Sequence, residues 1–149
     1  MIGAKDIMNK GVITVRPSTT IEELARILID HRISGAPVVD EKGDLAGIVT
    51  ENDLISHNKR LHIPTVIRLF DAYIMLESPS KIEKEIRKMA AVTVEDICTR
   101  DVATVTEDTP VEDIATLMSE RNVHHIPVVR GGKLVGIIGK MDLIRGMVK

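Results

Sequence analysis

Leu45-Ala46-Gly47-Ile48-Val49-Thr50-Glu51-Asn52-Asp53-Leu54-Ile55 reads as a short apolar strand that turns abruptly into a helix at Thr50. Gly47, lacking a Cβ, lets a second backbone approach the strand closely. A strand that ends at a helix N-terminus gathers unpaired N–H groups and the positive end of the helix dipole at one point. That geometry suits a phosphate or another anion. The chain writes the stretch again as Leu134-Val135-Gly136-Ile137-Ile138-Gly139-Lys140-Met141-Asp142-Leu143-Ile144.

The duplication extends in both directions. A shift of ninety residues places Ile7 on Ile97 and continues to Val39 on Val129, with ten identities that include Val12, Thr14, Val15, Glu22, Ala25, Pro37 and Val38. After a one-residue deletion in a turn the shift becomes eighty-nine, and six more positions match: Leu45, Gly47, Ile48, Asp53, Leu54 and Ile55. Each copy carries the same local signals. Val12 to Val15 (Val102 to Val105) is β-rich. Thr19-Thr20-Ile21-Glu22 and Thr109-Pro110-Val111-Glu112 open helices with Thr as N-cap and Glu three residues on, and Pro110 takes the first helical position. Ile21, Leu24, Ala25 and Leu28, echoed by Val111, Ile114, Ala115 and Met118, form an i, i+3, i+4, i+7 core stripe. Strands then follow at Pro37–Asp40 and Leu45–Val49, and again at Ile126–Val129 and Leu134–Ile138, around turns at Gly43 and Gly131-Gly132. The unit predicted is β-α-β-β-α. One copy is too small to bury its own faces, so two copies packed sheet against sheet make one domain.

Residues 57–92 interrupt the repeats. Pro64-Thr65 predicts a helix through Leu76 that is apolar nearly all round, buried against its own domain or a second subunit. At about 12 residues it is too short to cross a bilayer. Ser78-Pro79 predicts a further helix, with Ile82, Ile86 and Met89 on a narrow stripe among solvated charges.

Composition narrows the function classes. The formal net charge of -2 gives no basic field for nucleic acid or an anionic membrane. Phe70 and Tyr73 are the only aromatic residues, too few for a base-stacking platform. The single cysteine, Cys98, excludes an internal disulfide and reads as a small buried hydrophobe. With neither a signal peptide nor a membrane span in view, the expected compartment is the cytoplasm. His124-His125 is a poor metal pair, because neighbours on a strand point to opposite faces. No nucleophile–base arrangement or metal set is apparent, so no catalytic and no metal residues are expected.

Ser34-Gly35-Ala36-Pro37-Val38-Val39-Asp40 with Gly47-Ile48-Val49-Thr50-Glu51-Asn52-Asp53 is one half of a recognisable pattern. Its copy is His124-His125-Ile126-Pro127-Val128-Val129 with Gly136-Ile137-Ile138-Gly139-Lys140-Met141-Asp142. In these residues the chain resembles a tandem pair of CBS domains, or Bateman module, of the stand-alone type with a helical insertion. The resemblance implies an α+β fold, two β-α-β-β-α repeats packed by pseudo-twofold symmetry into one disc-like domain. The repeats fall at 1–56 and 93–149, with the insertion at 57–92. It also implies two clefts that bind an adenosine ligand (AMP, ADP, ATP or S-adenosylmethionine), no resident cofactor and no catalysis. A homodimer, and an unidentified protein target that reads the occupancy, are implied as well.

By the same resemblance, Thr50 meets a ligand phosphate and Asp53 the ribose hydroxyls, in a cleft completed by Ala103, Val123, His124, His125 and Pro127. The twin cleft joins Asp142 to Gly11, Ile13, Ile33, Ser34 and Pro37. The two differ. Gly139 stands where the first copy has Thr50, so the second cleft lacks a hydroxyl, and the Thr50/Asp53 cleft is the expected nucleotide site. Thr50-x-x-Asp53 equally satisfies a capping box, a reading with no ligand in it. A purely structural module with non-functional clefts is the alternative.

Overall fold

The computed structural model describes residues 2–60 and 92–148; the helices expected over 64–76 and after Ser78-Pro79 lie outside them. In chain order the described elements are α1 (Ala4–Ile7), α2 (Ile21–His31), β1 (Gly35–Val39), β2 (Leu45–Thr50) and α3 (Glu51–Arg60). The second repeat supplies α4 (Val94–Ile97), α5 (Val111–Arg121), β3 (His125–Arg130), β4 (Lys133–Gly139) and α6 (Lys140–Met147).

The expected hairpins form, with the same irregularity in both. Pro37 pairs with Ile48 and Pro127 with Ile137, and the register shifts between Val38 and Val39 and again between Val128 and Val129. The turns differ as the one-residue gap requires. Gly131 and Gly132 close the second hairpin with φ of 58° and 82°. Both angles lie in the left-handed region that a tight two-residue turn needs and that glycine enters without strain. The first hairpin is one residue longer, and Asp40 Oδ1 organises it by accepting from the N–H groups of Lys42 and Asp44, each at 2.9 Å.

Two local expectations shift. The β-rich piece at Val12 to Val15 contributes only Val15, which bridges to Val38, as Val105 does to Val128. The N-cap of α2 is Thr20, whose side chain accepts from Glu23 N, and that of α5 is Pro110. Thr19 and Thr109 lie one residue earlier, their Oγ1 atoms accepting from Arg16 N and Thr106 N. A Thr-Thr pair offers two frames for one cap, and the turn before each helix claims the first hydroxyl.

The expected stripes are inward-facing. Leu24, Leu28, Val111, Ile114 and Met118 are buried, with Leu24 and Ile114 fully so. The two halves, however, exchange their leading segments. One core gathers Val15, Leu24, Leu28, Ala36, Val38 and Val49 of the first repeat together with Val94, and Ile97 and Cys98 pack against it. The other gathers Val105, Val111, Ile114, Met118, Ile126, Val128, Ile138 and Leu143 together with Ala4, with Ile2, Ile7 and Met8 against it. Backbone hydrogen bonds mirror the exchange: Ala4 N donates to Thr109 O and Val94 N to Thr19 O, both at 2.8 Å. Each hairpin then has one edge bridged by its own repeat and the other by its partner repeat, through Ile48–Thr99 and Asn9–Ile137. The hairpins themselves meet at their turns, where Lys133 Nζ lies 2.9 Å from Asp44 Oδ1 and Leu45 N donates to Gly132 O at 3.2 Å.

Candidate functional site

At the end of β2 the backbone N–H of Thr50 donates to Asp53 Oδ2 at 2.8 Å, and the Thr50 hydroxyl reaches the same oxygen at 3.2 Å. At the end of β4 the N–H of Gly139 donates to Asp142 Oδ2, also at 2.8 Å. The arrangement recurs at Gly3/Asp6 and Thr93/Asp96. An aspartate three residues into a helix satisfies the N-cap amide whatever side chain the cap carries. Its retention opposite Gly139 therefore has a local cause. The next amide is spent as well: Glu51 N donates to Ser34 O at 2.8 Å and Lys140 N to His124 O at 3.1 Å. Two N–H groups at each helix N-terminus are thus committed, one to the aspartate of its own turn and one to the residue before the hairpin partner strand.

The two turns face a cavity of about 650 Å³ between the repeats. Nine expected site residues lie on its walls: Ile33, Ser34, Thr50 and Asp53 from the first repeat, and Ala103, Val123, His124, His125 and Asp142 from the second. Four lie elsewhere. Pro37 and Pro127 are fully buried inside β1 and β3, where their carbonyls accept from Val15 and Val105. Their repetition marks the core. Gly11 sits in an exposed loop, its N–H turned onto Asn9 Oδ1 at 3.0 Å, and Ile13 is half-buried off the wall.

Among the described residues the two expected clefts open into one continuous cavity. Ser34 and His125, assigned to opposite clefts, touch: Ser34 Oγ lies 2.8 Å from His125 Nε2. Burial holds the His125 ring below the usual imidazole range; His124 and Lys140 push the same way and Glu51 opposes them. The sign of the linkage follows. An unfolded histidine takes up its proton near pH 6.5 while the folded one resists it, so the stability His125 contributes is complete above about 6.5 and is lost as pH falls below it. Urea unfolding at pH 7.5 and 5.5 is expected to show a smaller acid loss in His125→Asn than in the unaltered chain. An equal loss in both rules the effect out.

Sequence reasoning missed several wall residues. Arg32 and Asn122 occupy matched C-cap positions in the left-handed region, with φ of 53° and 51°, and both line the cavity. Asparagine enters that region readily and arginine does not, so the Arg32 backbone carries a modest strain of about 1 kcal/mol. Glu51 and Lys140, one residue past each turn, also lie on the wall and give its two sides opposite charge. A comparison of the repeats for differences rather than identities flags both. Arg121 and Arg145 line the cavity too, paired with Asp101 at 3.6 Å and Asp142 at 2.6 Å.

The family model for the CBS domain matches residues 4–60 and 94–149, most of the chain, in two copies. The chain belongs to the CBS-domain family. An uncharacterised protein of Methanocaldococcus jannaschii is 32% identical over 97% of this chain and 90% of its own length. The L-aspartate semialdehyde sulfurtransferase of the same organism is 34% identical, and the match spans 22% of it. Among solved structures, CBSX2 of Arabidopsis thaliana in complex with AMP superposes with a TM-score of 0.75 at 26% identity, covering 99% of this chain and 97% of that one. The CBS domain pair of protein MJ0100 in complex with 5′-methylthioadenosine and S-adenosyl-L-methionine superposes with a TM-score of 0.72 at 32% identity, covering 100% and 99%. The chain therefore has the α+β tandem CBS fold. Among the described residues no helix is long and apolar enough to cross a membrane.

Proposed function

We propose that this chain is a regulatory, non-catalytic binding module that holds an adenosine-bearing small molecule in the cavity between its CBS repeats, taken as 1–56 and 93–149. The observation that carries the reading is Asp53. Its Oδ2 is consumed by the turn, while its Oδ1 accepts no hydrogen bond from the described residues, and Asp53 lines the cavity. A half-buried carboxylate oxygen without a donor is an acceptor for ribose hydroxyls. His124 and Lys140 supply donors for phosphate or another anionic group, the Thr50 hydroxyl adds one only by leaving Asp53 Oδ2, and Val123 and Ala103 supply apolar surface for a base. The AMP in CBSX2 and the 5′-methylthioadenosine and S-adenosyl-L-methionine in the MJ0100 pair favour an adenosine ligand. Occupancy acts on a partner only through different affinities for two conformations of the module.

The test is thermal unfolding with AMP, ADP, ATP and S-adenosylmethionine, on the unaltered chain and on Asp53→Ala. A ligand at about 100 times its Kd adds roughly 2.7 kcal/mol of stability. Loss of a hydrogen bond to a charged acceptor is expected to weaken binding about tenfold or more in Asp53→Ala. A second reading, an assembly module with idle clefts, is favoured by exposed apolar side chains at matched helix positions: Ile55 on α3 at 62% exposure and Ile144 on α6 at 49%, with Met147 and Val148 beyond. A concentration-dependent dimer that answers to no adenosine ligand selects that reading.

A further inference from the structure

The two turns that face the cavity leave different carboxylates behind them. All four half-boxes use one aspartate oxygen on a cap amide, so what distinguishes the sites is the other oxygen. Asp53 Oδ1 receives no donor among the described residues, and the residue one turn on, Ser56, is exposed and carries no charge. Asp142 Oδ1 accepts from Arg145 Nη2 at 2.6 Å, and this guanidinium lies on the cavity wall beside it. Arg145 and Ser56 occupy the same position of the repeat, so no cation stands at that position in the first copy. Both oxygens of Asp142 thus hold a donor and its charge is compensated, whereas Asp53 keeps one oxygen open among the described residues.

We propose that Arg145 acts as a specificity-determining residue that closes the Asp142 side of the cavity to a ribose diol, so that the chain takes one adenosine group, at Asp53. The inference rests on the adenosine-binding reading above. A vicinal diol is a pair of neutral donors and binds best to a carboxylate that has no competing cation. At Asp142 it must displace a charge-assisted bond and then share the carboxylate with a guanidinium one turn away. Gly139 adds to the difference, since no hydroxyl stands where Thr50 does. Arg145 is itself 64% exposed, and an ion pair so accessible to water is weak enough for one substitution to reverse the asymmetry.

Equilibrium dialysis with 5′-methylthioadenosine and with AMP tests this on the full chain, the first probe carrying the diol without a phosphate. The unaltered chain is expected to bind one equivalent, lost in Asp53→Ala and retained in Asp142→Ala. Arg145→Ala is expected to strengthen the Asp142 side up to about fivefold, so that occupancy climbs toward two equivalents at concentrations where the unaltered chain holds one. That gain must vanish in Arg145→Ala/Asp142→Ala. Far-ultraviolet circular dichroism confirms that each variant is folded. Two equal sites in the unaltered chain, or one site in Arg145→Ala, overturn the role of Arg145 while leaving adenosine binding intact. No binding of either probe overturns both readings.

Discussion

Val94→Asp is expected to destabilise the protein by at least about 4 kcal/mol, and to strike the half built from the first repeat although residue 94 belongs to the second. Val94 is fully buried in one core with Leu24, Val38 and Val49, and its N–H is already spent on Thr19 O. A carboxylate there has no cation within that core, so it is buried unpaired or must take a proton to stay. Against a total stability of about 5–15 kcal/mol, such a cost removes much of the margin. Native-state hydrogen exchange reads the location: the amides of Val38 and Val49 are expected to lose protection before those of Val128 and Ile138. Ala4→Asp, equally buried in the opposite core, is expected to reverse the order. If Val94→Asp instead exposes Val128 and Ile138 first, the leading segments are not exchanged.

That exchange was not legible in the sequence. Ala4–Ile7 and Val94–Ile97 are four-residue helices, too short to carry a periodic signal. The duplication also hides their partners, because an alignment of two copies says which residues correspond and nothing about which copy each packs on. The hairpins and long helices were legible for the opposite reason. Leu24, Leu28, Ile114 and Met118 recur at helical spacing, and the apolar runs around Pro37 and Pro127 are bounded by turn residues.

The site divides along the same line. Thr50, Asp53 and Asp142 stood out because a strand running into a helix has a sequence signature, and Ser34, His124 and His125 because they precede the paired strands. Pro37 and Pro127 entered the expected site through the family resemblance, and both are fully buried in their strands and absent from the cavity wall. Arg32, Lys140 and Arg145 escaped because none is part of the repeat: each is a place where the copies differ. Shared residues build the two-half frame, and unshared ones set how its two sides differ.

Gly47→Val is expected to cost about 3 kcal/mol, clearly more than Gly136→Ala at the matched position of the other hairpin. A Cβ on Gly47 would stand 2.7 Å from the carbonyl oxygen of Thr99 and 3.2 Å from Cys98 Sγ. The oxygen is backbone, and it is the acceptor of the 2.9 Å bond from Ile48 N that joins the second repeat's leading segment to β2. It can retreat only by loosening that bridge, and the methyl groups of valine force it further, which puts the cost at the upper end for an overpacked core. At Gly136 the nearest atoms are Met8 Sδ at 2.5 Å, Cγ at 2.9 Å and Cβ at 3.1 Å; the first two swing away when the unbranched side chain rotates, which leaves only the Cβ to give slightly. Urea midpoints for the two variants measure the difference. Met8→Ala combined with Gly136→Ala is expected to relieve the second clash, whereas Cys98→Ala leaves the Gly47→Val cost nearly whole, because the Thr99 carbonyl remains in place. Equal costs at the two glycines would mean that the Ile48–Thr99 bridge gives way as easily as a methionine side chain.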